Sequence, residues 1–279
     1  MTNYYCLVTG LPDLTLEDGK LSYSVADFRT EFYPELSKKD RKLIDLFYLQ
    51  FDNRNLLRIL KDKEAVIEEN GVYSAEDLSG VIASLVEEKT PDKRIPAYFY
   101  KYAEKYMKAS AEERTGMEDI LYGYYYDYAM KCSNAFVAKW FELNLNINNV
   151  LAALAARKYK LDVSKAVVGS NKVAALLRTS NARDFGLSDE VECLEQLLRI
   201  SEMCELVERE KKIDALRWSW LEDRTFFHYF SIEKVFVFLM KLEMIGRWIA
   251  LDKEKGNEMF RSLIERLKDE VQIPEEFRK

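Results

Sequence analysis

An all-α fold follows from three features of this 279-residue chain: few turn-forming residues, long stretches of helical period, and helix-opening signals that recur along its length. Only 10 glycines and 5 prolines are present, too few for the many tight turns of a sandwich or barrel. Hydrophobic residues make up 48% and charged residues 32%, a balance that supports a real core and excludes a disordered chain.

Tyr4 to Val8 is short, aromatic and β-branched, and with Gly10 and Pro12 behind it predicts a small strand or extended arm. Leu11 to Ser24 reads as loop, and the helical period takes over at Val25. Ser37 is placed to cap a long amphipathic helix through Leu60 and Lys63, with Asp40 at its third position. Gly71 breaks that pattern, Ser74-x-x-Asp77 opens the next helix, and Thr90-Pro91 closes it. Pro96 starts a helix crowded with aromatics, Tyr98 to Tyr106. After Gly116 a very long pattern runs from Met117 to Tyr159, with an expected break near Asn144–Asn149. Val163 to Leu187 holds short helices with turn signals at Gly169 and Gly186. Ser188 is expected to cap a long charged helix from Asp189 to about Trp220, with pairs such as Glu208–Lys212 on a solvated face. A final pair, Ser231–Lys253 and Lys255–Val271, divides at Gly256.

Three segments share one register. They are Phe47-x-Leu49-x-Phe51-Asp52-x-x-Asn55, Phe141-x-Leu143-x-Leu145-Asn146-x-x-Asn149 and Phe238-x-Met240-x-Leu242-Glu243-x-x-Gly246. Their anchors Asp52, Asn146 and Glu243 lie 94 and 97 positions apart, near one third of the chain. Eight residues on, Leu60, Leu154 and Leu251 match; eleven on stand Lys63, Arg157 and Glu254. At about 100° per residue the anchor and the residue three later are about 60° apart, inside the apolar stripe. A buried polar pair must be hydrogen-bonded, so each pair is expected to clasp backbone or a neighbouring helix. The simpler reading of one copy is a helix N-cap. Three copies in register favour three related helical units, 1–110, 111–187 and 188–279, packed as a pseudo-threefold assembly.

These residues resemble the C-type subunit family of V-type and A-type rotary ATPases (the d-type subunit in eukaryotes), in which three related helical units each carry an acid-or-Asp-x-x-Asn helix. Asn146-Ile147-Asn148-Asn149 running on to Arg157-Lys158 is similar to the family's Asp-x-x-Asn helix followed by Arg-x-Lys. Lys241, Glu243 and Arg247 are similar to its Lys–Glu–Arg region, although the Lys-to-Glu spacing is shorter. The opening Tyr4-Tyr5-Cys6-Leu7-Val8-x-x-Leu11-Pro12-Asp13-Leu14 resembles a bacterial branch of unassigned function encoded beside V-type ATPase genes. Asn146 stands where the family has an acid, and Gly246 where it has Asn. The resemblance implies a funnel-shaped, non-catalytic adaptor on the cytoplasmic face of the membrane, seated on the rotor ring and receiving the central stalk. It marks Asp52, Asn55, Lys63, Asn146, Asn149, Arg157, Lys241, Glu243 and Arg247 as structural or partner-binding candidates. A free-standing helical scaffold for a peptide or helix is the alternative, and an uncharacterised helical enzyme a third.

Other chemistries find little support in the residues. A net charge of −6 disfavours nucleic acid as partner. Cys6, Cys132, Cys193 and Cys204 are scattered, without the clustering of a zinc site or disulfide framework, and read as reduced thiols of a cytoplasmic protein. The start lacks the basic and apolar regions of a signal peptide, and the longest apolar run, Val235 to Met240, falls short of the roughly 20 residues of a span. Neither a phosphate-binding Gly-x-x-x-x-Gly-Lys-(Ser/Thr) nor a Gly-x-Gly-x-x-Gly occurs, so no nucleotide or metal cofactor is expected. Asp52-Asn53-Arg54-Asn55 puts a cation where an Asp-rich metal cluster needs a carboxylate, and Glu222-Asp223 has no matching second cluster. The single histidine, His228, rules out two-His zinc motifs and, between Phe226-Phe227 and Tyr229-Phe230, reads as a packed junction residue. The tyrosines of 98–106 and 122–128 read as wide-ring helix packing, with a partner groove as the sharper alternative.

Overall fold

The computed structural model describes residues 3–251, and among these every regular element is helical. The all-α prediction holds. The expected strand or arm at Tyr4–Val8 is instead helix α1, Tyr5–Thr9. No strand among the described residues lies beside this segment to complete a ladder, whereas a helical turn satisfies its backbone groups locally, as Val8 N–H does on the Tyr4 carbonyl at 2.9 Å. Tyr4 ties the segment to residues far apart in the chain. Its N–H donates to the Phe230 carbonyl at 2.7 Å, and its hydroxyl donates to Asp40 at 2.6 Å while accepting from Ser37 N–H at 3.1 Å.

A capping box of Ser24 and Asp27 opens α2, Val25–Asp27, which runs on through a π turn, Phe28–Phe32, and a 3₁₀ turn, Tyr33–Glu35. Helix α3, Lys38–Lys61, starts at Ser37, whose Oγ accepts from Asp40 N–H at 3.2 Å. It ends two residues before Lys63, at an extended Asp62. Ser74 and Asp77 form the predicted capping box of α4, Ala75–Val86. Pro96 precedes α5, Ala97–Lys108, and a left-handed Gly116 precedes α6, Met117–Ala129.

The long pattern after Gly116 is broken at Met130–Asn134, not at Asn144–Asn149. Asn134 caps α7, Ala135–Lys158, by accepting from Val137 N–H at 3.1 Å. The later asparagines lie inside α7; Asn144 bonds back to the Trp140 carbonyl, and Asn146 and Asn149 reach other segments. Short helices α8, Val163–Ala166, and α9, Lys172–Thr179, follow, with Gly169 and Gly186 both at positive φ. The single charged helix expected from Asp189 to Trp220 is two helices, α10, Leu194–Ser201, and α11, Leu206–Thr225. Ser188 bonds Asp184 instead of capping, and Glu205 accepts from Val207 N–H to restart the chain as α11. The bend lets α10 bury Leu194, Leu197 and Ile200 against α7 while α11 turns toward α12, Ile232–Ala250. On α11 the ion pair of Glu208 is with Lys211, at 3.4 Å, not Lys212. The predicted helix Lys255–Val271 lies outside the described residues.

Two hydrophobic cores result. The first takes in α3, α4, α5 and α6, packed on one another, and α12, which lies against α2, α7 and α11 and is buried on nearly every side from Val235 to Ile245. Most tyrosines fall here: Tyr98, Tyr100, Tyr102, Tyr106 and Tyr125 are buried, whereas Tyr128 is exposed. The second joins α8, α9, α10 and the start of α11. Helix α7 belongs to both, with Val137, Trp140 and Phe141 in the first and Ile147, Val150 and Ala153 in the second. No helix among the described residues is long and apolar enough to cross a membrane.

The loop between α8 and α9 passes close to two helices. A Cβ on Gly123 of α6 would stand 3.3 Å from the Gly169 nitrogen, and one on Gly169 would stand 3.1 Å from Leu145 of α7. With φ at +78°, Gly169→Ala combines left-handed strain with that contact. It is expected to cost about 1–3 kcal/mol, read by urea unfolding as a lower midpoint at unchanged slope.

Candidate functional site

Asp52 and Asn55 lie in the middle of α3, fully buried, which excludes the N-cap reading. Both face the loop between α3 and α4. Asn55 treats one residue of that loop as a partner strand would: its Nδ2 donates to the Glu68 carbonyl at 2.8 Å and its Oδ1 accepts from Glu68 N–H at 2.7 Å. Asp52 accepts from Val72 N–H at 2.8 Å and Tyr73 N–H at 3.0 Å, immediately before the Ser74 cap. Arg29 closes the loop from the other side by donating to the Asn70 and Gly71 carbonyls. Gly71 is required there, because a Cβ would sit 2.3 Å from Asp52 Oδ1.

The second copy repeats this arrangement on the loop between α8 and α9. Asn149 donates to the Val168 carbonyl and accepts from Val168 N–H, both at 2.8 Å. Asn146 accepts from Asn171 Nδ2 at 2.8 Å, and Asn171 is itself the cap of α9. Arg178 donates to the Val167 and Gly169 carbonyls at 2.7 and 2.9 Å, as Arg29 does to its own loop in the first copy. In both, the first polar residue holds the entry to the next helix and the second holds both backbone groups of one loop residue.

The third copy is built differently. Glu243 is half-buried and has no clasp of this kind among the described residues. Burial pushes its carboxyl up; Arg247 and Arg217 pull it back, while Asp214 adds to the rise. The polar centre here is Asp214 of α11, fully buried, which accepts from Arg247, from Trp248 Nε1 at 2.8 Å and from Arg217 at 3.1 Å. Arg217 also donates to Asn148 at 3.1 Å, joining the second copy to the third through α11. Lys241 pairs with Glu222 at 2.9 Å over the Trp218 ring.

Lys63 and Arg157, matched in sequence, are not equivalent in place. Lys63 is exposed beyond the end of α3. Arg157 stacks 3.4 Å from the centre of the Phe185 ring and donates to the Ala182 and Ser180 carbonyls at 2.5 and 2.7 Å. His228 lies in the α11–α12 turn against Phe136, with Nδ1 3.7 Å from Glu233. The four cysteines are free, and no group of three or more His, Cys, Asp or Glu residues able to hold a metal occurs among the described residues.

Over residues 1–271 the chain matches the family model described as Protein of unknown function (DUF2764). It belongs to that family. No curated protein and no solved structure matches it. The distinguishing feature of this member's interior is a pair of loops tethered by helix-borne Asx side chains. Arg29, Arg178 and Asp214 complete the polar framework and carry no distinctive signal in sequence, since each sits among ordinary charged or polar neighbours.

Asn149→Ala and Asn55→Ala are each expected to cost about 2–4 kcal/mol, because both leave a buried N–H and C=O without partners. Asn149→Asp should do no better, since it sets a carboxylate oxygen against the Val168 carbonyl; chemical denaturation measures all three. The Asp52 carboxyl is pushed up from 3.8 to about 6, burial outweighing its two N–H donors and Arg29. With the folded value above the unfolded one, the folded state holds the proton more tightly. Stability falls as pH rises from about 4 to about 6, and the cost is fully present above that. Relative to Asp52→Asn, wild type should lose on the order of 3 kcal/mol across this window in pH-dependent denaturation.

Proposed function

We propose that this chain is a non-catalytic rotor adaptor of a V-type ATPase or ATP synthase, linking the central stalk to the membrane ring on the cytoplasmic face and transmitting torque. Its three units would stand around a pseudo-threefold funnel axis, with ring subunits below and stalk subunits above. The supporting observation is the pair of Asx-x-x-Asn clasps: Asn55 and Asn149 hold corresponding loops by the same two backbone bonds, while Asp52 holds the next helix's entry through backbone N–H groups and Asn146 through the Asn171 side chain. These are the residues that carry the resemblance to the C-type family of rotary ATPase adaptors. A torque-bearing adaptor needs loops that do not yield, and a loop fixed through its own backbone groups meets that need. The buried acids favour this role over catalysis, because Asp52 and Asp214 are occupied by structural donors.

A free-standing scaffold for a helical or peptide partner is the second reading, favoured by an open groove beside α7. Purification of the tagged full chain from gently solubilised native membranes separates the two. Ring and stalk subunits should co-purify in fixed ratio, and the association should survive a sizing column. A chain that elutes free of both ends the adaptor reading.

A further inference from the structure

We propose that the groove between α7, α10 and α11 docks a basic amphipathic helix of a partner protein. This goes beyond the adaptor reading and stands without it, because it rests on the surface and not on the clasps. The groove encloses about 680 Å³. Its lining sets the apolar side chains of Phe136, Leu143, Leu216 and Trp220 among polar and charged ones. Phe136 and Trp140 pack on Trp220 at ring separations of 5.3 and 5.9 Å, so the indole is held in place while staying half-exposed. A rigid, partly exposed tryptophan on an aromatic bed is the usual form of an interface anchor.

Acids outnumber bases on the lining: Glu142, Asp189, Glu190, Glu192 and Asp223 stand with Lys139 and Arg224. Lys139 neutralises Glu142, Arg224 neutralises Glu192, and Lys172 from outside the groove neutralises Glu190. Asp189 and Asp223 are exposed and have no ion-pair partner among the described residues. The turn that brings His228 to the lining also carries Phe226, Phe227 and Tyr229, at 66%, 82% and 62% exposure. The partly exposed indole and the two unpaired acids together fit a helix with an apolar stripe flanked by Lys or Arg. An anionic lipid surface is the poorer occupant, because Asp189 and Asp223 would face its headgroups.

The test places the photo-crosslinker p-benzoylphenylalanine at Gln196, an exposed residue of the groove's lining, in the full chain in its native cells, with Trp220 intact and Val66 (88% exposed) as the control site. The expected adduct at position 196 maps to a protein segment of net positive charge with apolar residues at helical spacing. Asp189→Lys with Asp223→Lys should cut its yield about tenfold, whereas Glu76→Lys with Glu87→Lys, both exposed on or beside α4, should not. Melting curves of both double variants confirm folding. A lipid adduct, an acidic segment, a yield no higher than at Val66, or equal loss in both double variants overturns the proposal. A basic helical segment upholds the groove whether or not its protein belongs to a rotary ATPase, and the adaptor reading stands or falls by the co-purification alone.

Discussion

The interior of this protein depends on one reciprocal bargain between side chain and backbone. An asparagine amide in a dry helix–helix interface has a donor and an acceptor to satisfy, and a loop drawn into the interior has the same pair on every residue. Asn55 and Glu68, and Asn149 and Val168, each exchange one donor and one acceptor. Either group alone would destabilise its surroundings; together they let a loop run against the core, where loops seldom go. The glycines follow from this closeness, Gly71 to clear the Asp52 carboxylate and Gly169 to pass Leu145.

Helix α7 converts two such local solutions into one body. Its first half packs in the core that holds α12 and its second half in the core that holds α9 and α10. At 24 residues it extends about 36 Å. The chain of contacts from Asn148 through Arg217 to Asp214 and Arg247 binds it sideways to α11 and α12. Motion of one core relative to the other would strain α7 or that polar chain, whose centre, Asp214, is buried.

Local chemistry made much of this legible. Ser37, Ser74 and their acids sit at the predicted helix starts because a cap is decided within four residues. The Asx pairs were identifiable as buried because they interrupt an apolar stripe. Failures arose where distant packing decided. The Asp189–Trp220 stretch is helical in composition throughout, yet it must bend for α10 and α11 to bury different faces. Asp214 looks like one more acid in a charged run, and only the approach of Arg247 and Trp248 from α12 reveals its burial. Tyr4–Val8 has strand-like residues but, among the described residues, no strand with which to pair.

The bond from Tyr4 N–H to the Phe230 carbonyl also bears on the order of events during synthesis. Phe230 emerges from the ribosome long after Tyr4, and so does α12, the last helix of the first core. The core built around α9 and α10 draws on residues 143–216, so its parts are complete before α12 exists. Tyr4 has Ser37 and Asp40 within reach much earlier, and α3 to α6, which pack on one another, are also made before α12. Of the three bonds at Tyr4, the one to Phe230 is thus the last that synthesis makes possible.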